Sequence, residues 1–507
     1  MKVSDSNNQI KAGAVMAYLT IAVNILAGLL YTPWMINQIG ASDYGIYTLA
    51  MSQISIFALD FGLSSAVSRF LSKYRATNND ELEKKFMGIV LKLFLVIAVV
   101  LFIILLAIFL LIEGIFIELS YEEIEKLKVV FIIAGLFTVI SFPFRPLNGL
   151  LISNERFAFI KFTDLAKKVL SVIFIITILF FGYGLYGLVL VDALVGLLII
   201  IMKILYINKN IGFNIEWKAK DRTLKSEILS FSTWTTVIAI AQRFILNITP
   251  TILGALSGTI EIAIFSIGMT IEGYSYMLTH ALGGLFLPKV TRIISSNSDS
   301  EVKINNLLIK VGRIQFFIAG LIVIGFITMG YEFIHLWVGQ SFSNSYYIAV
   351  LLITPMIITL TQEIANTVLI VKNKLKYKAK SSLIVAIISV FLSLILSPLW
   401  GAVGAAFSIF IGNIIGQVIY LNFVYKNLLT IDINMFFRKC HKNMAVPFLL
   451  TLFIGLVMQQ VITSGSLVIF VIKAIAISII YTTLMWKISF NNFEKELIYK
   501  IIRNRRL

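Results

Sequence analysis

Fourteen stretches of mostly apolar residues, each long enough for a membrane-crossing helix, follow one another along the chain with short turns or charged loops between them. They read as 12–36, 43–71, 86–112, 127–153, 161–181, 185–207, 227–256, 259–288, 307–330, 346–371, 379–397, 401–425, 443–462 and 466–487. Strand-like alternation is missing, so a membrane barrel is excluded and the predicted class is all-α. Polar residues inside these spans keep to single helical faces. Span two aligns Gln53, Asp60, Ser64 and Ser68. Span four places Thr138, Ser141 and Asn148 around Pro143, Arg145 and Pro146, where two prolines free carbonyls beside a guanidinium. Span seven aligns Thr236, Arg243 and Asn247; span eight aligns Glu272, Ser275, Tyr276, Thr279, His280 and Gly283. Span ten carries Gln362, Glu363, Asn366 and Thr367 after Pro355. Spans three, nine, thirteen and fourteen read as nearly polar-free apart from Lys473, which predicts an inner set of helices lining a wet cavity and an outer set facing lipid.

The layout is duplicated. Thr32-Pro33, Gly40, Asp43 and Tyr47 are answered by Thr249-Pro250, Gly258, Glu261 and Phe265, at an offset of 217 that becomes 218 after one inserted residue. The same spacing relates Gly184-Leu185-Tyr186-Gly187 to Gly401-Ala402-Val403-Gly404, and Leu151-Ile152 with Arg156 to Leu369-Ile370 with Lys374. Three matches at one spacing predict two similar six-span lobes, residues 1–210 and 227–426, with a seam in the basic segment 208–226. Six is even, so the lobes share a topology and are expected about an axis along the membrane normal, around a central cavity. Spans thirteen and fourteen, 443–487, are an appendage, and 488–507 is a basic tail.

Composition agrees: 59% of the 507 residues are hydrophobic, 14% are charged and mean hydropathy is +0.92, too apolar for a soluble domain. The net charge of +17 lies in the loops after even-numbered spans, which puts both termini in the cytoplasm and reads as topology plus attraction to anionic lipid, not as a nucleic-acid footprint. On this reading Lys126 and Lys128 lie on the far side, Arg145, Arg243 and Lys473 lie within spans, and the other basic residues lie at the cytoplasmic face. The acidic segment 113–128 reads as a short interfacial helix, and Asp164 and Asp192 as solvated span-end residues. A lone Cys440 and three scattered histidines exclude an internal disulfide and metal-site spacing. No GxxxxGK[ST] loop and no nucleophile–base–acid set is present, so neither ATP hydrolysis nor another catalysis is expected: not an enzyme. No cleavable leader is recognised, and the first span reads as its own insertion signal.

An arginine in the bilayer costs ~2.5 kcal/mol or more, so Arg145 and Arg243 need water or a partner. Either they hold an anion, for which guanidinium geometry suits, or Asp60, Glu272 or Glu363 neutralise them and they fix helix register. The substrate-binding candidates are Arg145, Arg243, Asn247, Asp60, Glu272, Tyr276 and Asn148. Asp60, Glu272 and Glu363 are candidates for coupling to H+ or Na+, with no other cofactor. Lys473 is expected to snorkel or to meet a glutamate-bearing loop.

The stretch YTPWMINQIGASDYGIYTLA from Tyr31, LDFGLSSAVSR from Leu59, NITPTILG from Asn247 and the GLYG and GAVG turns resemble bacterial polysaccharide transporters. These are the O-antigen and exopolysaccharide flippases of the superfamily that also holds multidrug exporters of the toxic-compound-extrusion type and lipid II flippases. The resemblance implies two six-helix lobes around a central cavity plus two carboxy-terminal helices in the bacterial inner membrane. It also implies an undecaprenyl-pyrophosphate-linked oligosaccharide as substrate, delivered toward polysaccharide polymerase machinery for lipopolysaccharide, capsule or exopolysaccharide. The alternatives are a cation-coupled multidrug exporter, which would be expected to keep a carboxylate in the first span where 12–36 has none, and a lipid II flippase. A membrane glycosyltransferase or polymerase would want larger outer loops.

Overall fold

The computed structural model describes residues 3–58, 63–77, 79–212, 216–217, 233–280, 286–295, 299–462, 466–496 and 499. Among them there is no strand. The helices are α1 Val3–Ile39, α2 Ala41–Phe57, α3 Leu63–Ala76, α4 Asp80–Ile115, α5 Tyr121–Ser141, α6 Pro146–Ser153, α7 Phe157–Phe180, α8 Gly184–Asn210, α9 Thr233–Leu256 and α10 Thr259–His280. They continue with α11 Leu287–Ser295, α12 Ser300–Trp337, α13 Asn344–Ile353, α14 Met356–Thr359, α15 Glu363–Val371 and α16 Leu375–Asn413. The last four are α17 Leu421–Leu429, α18 Ile433–Phe437, α19 Asn443–Val461 and α20 Leu467–Leu484.

Among the described residues each expected span lies mainly on helix. Nine helices among the described residues are long and apolar enough to cross a membrane, or ten if the bent pair Asn344–Thr359 and Glu363–Val371 is one span. The 55 residues Leu375–Leu429 count once in that number, yet the chain doubles back inside them at Gly401, whose φ of 55° and ψ of −137° no helix contains. The arms lie side by side: the Ser381 hydroxyl donates to the Gly416 carbonyl at 2.8 Å, and a Cβ on Gly404 would sit 2.2 Å from the Leu396 carbonyl oxygen. The spans expected at 379–397 and 401–425 are therefore the two arms of one hairpin. A Gly401→Ala substitution forces a side chain into this backbone region and is expected to cost ~1–3 kcal/mol, read as a lower midpoint of thermal unfolding in detergent; an unchanged midpoint would remove the hairpin's dependence on that glycine.

The duplication is visible in the backbone. Gly40 and Gly258 turn at φ of 87° and 86°, and Gly184 and Gly401 at 54° and 55°. Glu155 and Asn373, neither of them glycine, take φ of 55° and 54°. Around them the amides of 154, 155 and 156 donate to the carbonyls of 150, 152 and 151, and those of 372, 373 and 374 donate to 368, 370 and 369. The left-handed residues Gly212 and Thr430 close the pattern, their amides donating to Ile207 and Tyr425. Both copies thus end equivalent helices with the same left-handed cap, which satisfies the last carbonyls.

The chain forms two compact units, Met1–Ala263 and Ile264–Leu507. The first continues past the seam expected at 208–226, part of which lies outside the described residues, because α9 packs on α2: a Cβ at Gly254 would touch Leu49 and Phe116. Within this unit spans two and four are each broken. α2 packs on α5 and α3 on α6, so upper and lower halves are matched across the breaks.

Four expectations change. Span nine is no lipid-facing helix: 61% of the apolar window of α12 is buried, against 22% for α4, because α19 and α20 pack on it. It also contains Arg313, which is 3% exposed. Basic residues inside spans are more numerous than expected, since Lys167, Lys168, Lys203 and Arg313 all lie within them. The segment 113–128 holds no separate helix. Glu122 and Glu123 form the first turn of α5, where Ser120 and Glu123 make a reciprocal capping box. Asp192 is not a solvated end residue, because it accepts from the Ser171 hydroxyl at 3.2 Å. Lys473 pairs with Glu332 of α12 and is 4% exposed.

Candidate functional site

α2 stops at Phe57, where the Ala58 amide donates to the Ile54 carbonyl of its last turn. Two guanidiniums, one from each copy of the repeat, meet this turn. Arg145 Nη1 donates to the Ala58 carbonyl at 2.8 Å, and Arg243 Nη1 donates to the Ser55 hydroxyl. The two acceptors are three residues apart, so about one helical turn separates the contacts. A helix carboxy-terminus carries roughly half a negative charge, which favours guanidiniums there.

Local sequence positions each arginine. Arg145 lies between the 3-10 turn Phe142–Phe144 and α6, a break enforced by Pro143 and Pro146, and its guanidinium sits 4.6 Å over the Phe142 ring. Arg243 lies on α9, which contains Pro250 and which Gly254 lets approach α2. Both are half-buried. Among the described residues Ser55 is the acceptor for Arg243, and it is neutral. Asn247 is half-buried one turn further along the same helix, and Asn148 on α6 is exposed and accepts from Lys203 Nζ at 3.0 Å. Asp60 lies outside the described residues.

The Gly40 and Gly258 hairpins fix how closely α9, α10 and α2 meet. Ser42 and Thr259, equivalent residues of the repeat, place their hydroxyls 3.0 Å apart, and both donate to Glu123 Oε1 at 2.6 Å. Only glycine fits at 45, because a Cβ there would lie 2.1 Å from the Thr259 carbonyl oxygen.

Glu272, Tyr276 and Glu363 belong to the second unit. Glu272 is half-buried and Tyr276 exposed on α10, with Glu363 and Glu272 as the charged neighbours of the tyrosine. Glu363 begins α15 after a 61° bend. The bend is held by Gln362 Nε2 donating to Asn422 Oδ1 at 2.7 Å and Tyr425 Oη donating to Asn366 Oδ1 at 2.8 Å. Glu363 is the repeat equivalent of Arg145, so the same helix break carries an anion in one copy and a cation in the other. The candidates thus fall into two groups, the arginines at the end of α2 and the carboxylates with Tyr276 around α10 and α15.

Sequence reading missed Lys203 and the Lys167–Asp192 pair, which approaches to 4.0 Å. The signal was present: α7 carries Lys167, Lys168 and Asp164 inside an otherwise apolar window.

A family profile described as "Polysaccharide biosynthesis protein" matches residues 10–288. Among solved structures the chain is similar to "Lipid II flippase MurJ, inward closed conformation", at 16% identity and a TM-score of 0.71, covering 94% of this chain and 98% of that one. It is also similar to an inward-facing multidrug resistance MATE family transporter of the MOP superfamily, at 14% identity and a TM-score of 0.66, covering 82% and 98%. A third, a MOP superfamily transporter from Pyrococcus furiosus, has 14% identity and a TM-score of 0.60, covering 83% and 94%. No curated sequence matches. At these identities the likeness establishes the fold: an all-α, multi-pass membrane transporter architecture.

Proposed function

Because the chain belongs to the polysaccharide biosynthesis protein family, we propose that it is a flippase for an undecaprenyl-pyrophosphate-linked oligosaccharide. It carries the glycolipid from the cytoplasmic to the outer leaflet of the bacterial inner membrane, with both its termini in the cytoplasm. There the oligosaccharide is handed to polymerising machinery for cell-surface polysaccharide. The chain makes and breaks no covalent bond.

One observation carries this reading: Arg145 and Arg243 converge on the last turn of α2. Two planar cations about one turn apart suit the two linked phosphates of a pyrophosphate, each able to take a bidentate contact. Among the described residues Arg243 meets a neutral hydroxyl, which weakens the alternative role, neutralisation by a carboxylate, for that arginine. Transport proceeds by alternating access, drawn from a gradient of H+ or Na+ through Asp60, Glu272 and Glu363. A drug exporter is disfavoured because the first span, 12–36, holds no carboxylate.

Deletion of the gene followed by analysis of inner-leaflet glycolipids tests the assignment. Accumulation of a polyprenyl-pyrophosphate-linked repeat unit is expected. Accumulation of lipid II would assign the chain to cell-wall precursor instead, and unchanged glycolipid with raised drug sensitivity would make it an exporter.

A further inference from the structure

The amino-terminal half of α7 carries Lys161, Asp164, Lys167 and Lys168, and α8 lays Asp192 and Lys203 against it. Three groups of polar contacts lie along this seam. Lys161 Nζ lies 3.2 Å from Asp164 Oδ2, Lys203 Nζ donates to Asn148 Oδ1 at 3.0 Å, Lys167 Nζ lies 4.0 Å from Asp192 Oδ1, and Ser171 closes the far end on Asp192. From Lys161 to Ser171 the helix rises roughly 15 Å, so these contacts reach well into the apolar span. Among the described side chains four lysines face two aspartates, and Lys203 donates to a neutral amide oxygen with Asp164 as its neighbouring anion.

Two further features separate these contacts from a fixed structural pair. The 4.0 Å separation of Lys167 from Asp192 is at the limit of an ion pair, whereas the buried pair of Lys473 with Glu332 closes to 2.5 Å. The groups are also not sealed by protein: the Lys167 side chain is 43% exposed and Asp192 25%. An ammonium held loosely by a carboxylate and another held by an amide can both exchange to a better anion, and each has three donors to offer. The stacked rings of Phe159 and Tyr206, 3.7 Å apart, brace α7 against α8 beside Lys203.

We infer that Lys167 and Lys203, on the seam of α6, α7 and α8, form a second anion subsite that holds the phosphate of a membrane lipid. Resting on the flippase reading, the lipid is the carrier pyrophosphate on its way to the arginines at α2; the same chemistry would also admit an anionic phospholipid headgroup. Asn148 is then a neutral neighbour that keeps Lys203 extended, and Asp164 and Asp192 are the anions that the ligand displaces.

The test uses the full chain in nanodiscs of zwitterionic phosphatidylcholine, titrated separately with undecaprenyl pyrophosphate and with phosphatidylglycerol. The double variant Lys167→Gln, Lys203→Gln should bind undecaprenyl pyrophosphate about tenfold more weakly, and the double arginine variant should recover it. Asp192→Asn, which removes a competing anion and no lysine, should bind more tightly; this second variant keeps the test intact if the glutamine pair fails to fold. If wild-type protein binds phosphatidylglycerol through these lysines but ignores undecaprenyl pyrophosphate, the subsite stands and the flippase reading fails. If undecaprenyl pyrophosphate binds wild type and all variants alike, the subsite is overturned and the flippase reading survives. Binding of neither lipid overturns both.

Discussion

Arg313→Ala is expected to destabilise the protein by ~3–5 kcal/mol, the cost of leaving a buried charge without its partner. Arg313 is 3% exposed in α12, and every arm of its guanidinium is engaged. Nε and Nη2 donate to the Glu494 carboxylate at 2.6 and 3.3 Å, Nη1 to the Lys439 carbonyl at 2.9 Å and Nη2 to the Ser489 carbonyl at 2.5 Å. One side chain thereby fastens the turn before α19 and the end of α20 to α12. Removing it leaves the buried Glu494 carboxylate without its guanidinium, and Glu494→Ala should cost a similar amount. The double variant Arg313→Met, Glu494→Leu should regain most of the loss, because no buried charge remains. Thermal or denaturant unfolding in detergent measures all three, and an alanine variant that melts with wild type would show that the appended helices are held by apolar packing alone.

The second large effect concerns transport. Arg243→Ala removes a charged donor from the end of α2 while leaving the Gly254 contact with Leu49 intact. A hydrogen bond to a charged group contributes about 1.5–3 kcal/mol, so surface polysaccharide made per molecule of protein should fall roughly 10- to 100-fold. Arg145→Ala should lose at least as much, since that arginine also satisfies the Ala58 carbonyl where α2 breaks. Lysine at either position keeps the charge and loses the planar fork, and an intermediate rate is expected. Immunoblotting for protein level separates these effects from misfolding.

What sequence could reveal here follows from the range of each signal. The repeat was legible because turns need particular residues: Gly40 and Gly258, or Gly184 and Gly401, mark equivalent left-handed positions that few other side chains adopt. The breaks at Arg145 and Glu363 were legible from Pro143, Pro146 and Pro355. Arg145 and Arg243 stood out as charges in apolar runs, but their meeting at α2 did not, since one acceptor is a backbone carbonyl and the other an unremarked serine. Arg313 went unnoticed for a related reason: its partner is 181 residues away, and the face it occupies is covered only once α19 and α20 pack. Close helix approach at Gly320 and Gly455, against Tyr481 and Thr328, buries a helix that apolar composition alone assigns to lipid.

Reconstitution of the purified chain into proteoliposomes, with a fluorescent undecaprenyl-pyrophosphate oligosaccharide and a membrane-impermeant quencher, reads movement between leaflets directly. Wild-type protein should move the glycolipid, and the double variant Arg145→Ala, Arg243→Ala should not move it above the rate of empty vesicles. Movement by the double variant at the wild-type rate would contradict the claim that the two guanidiniums at the end of α2 grip the travelling pyrophosphate.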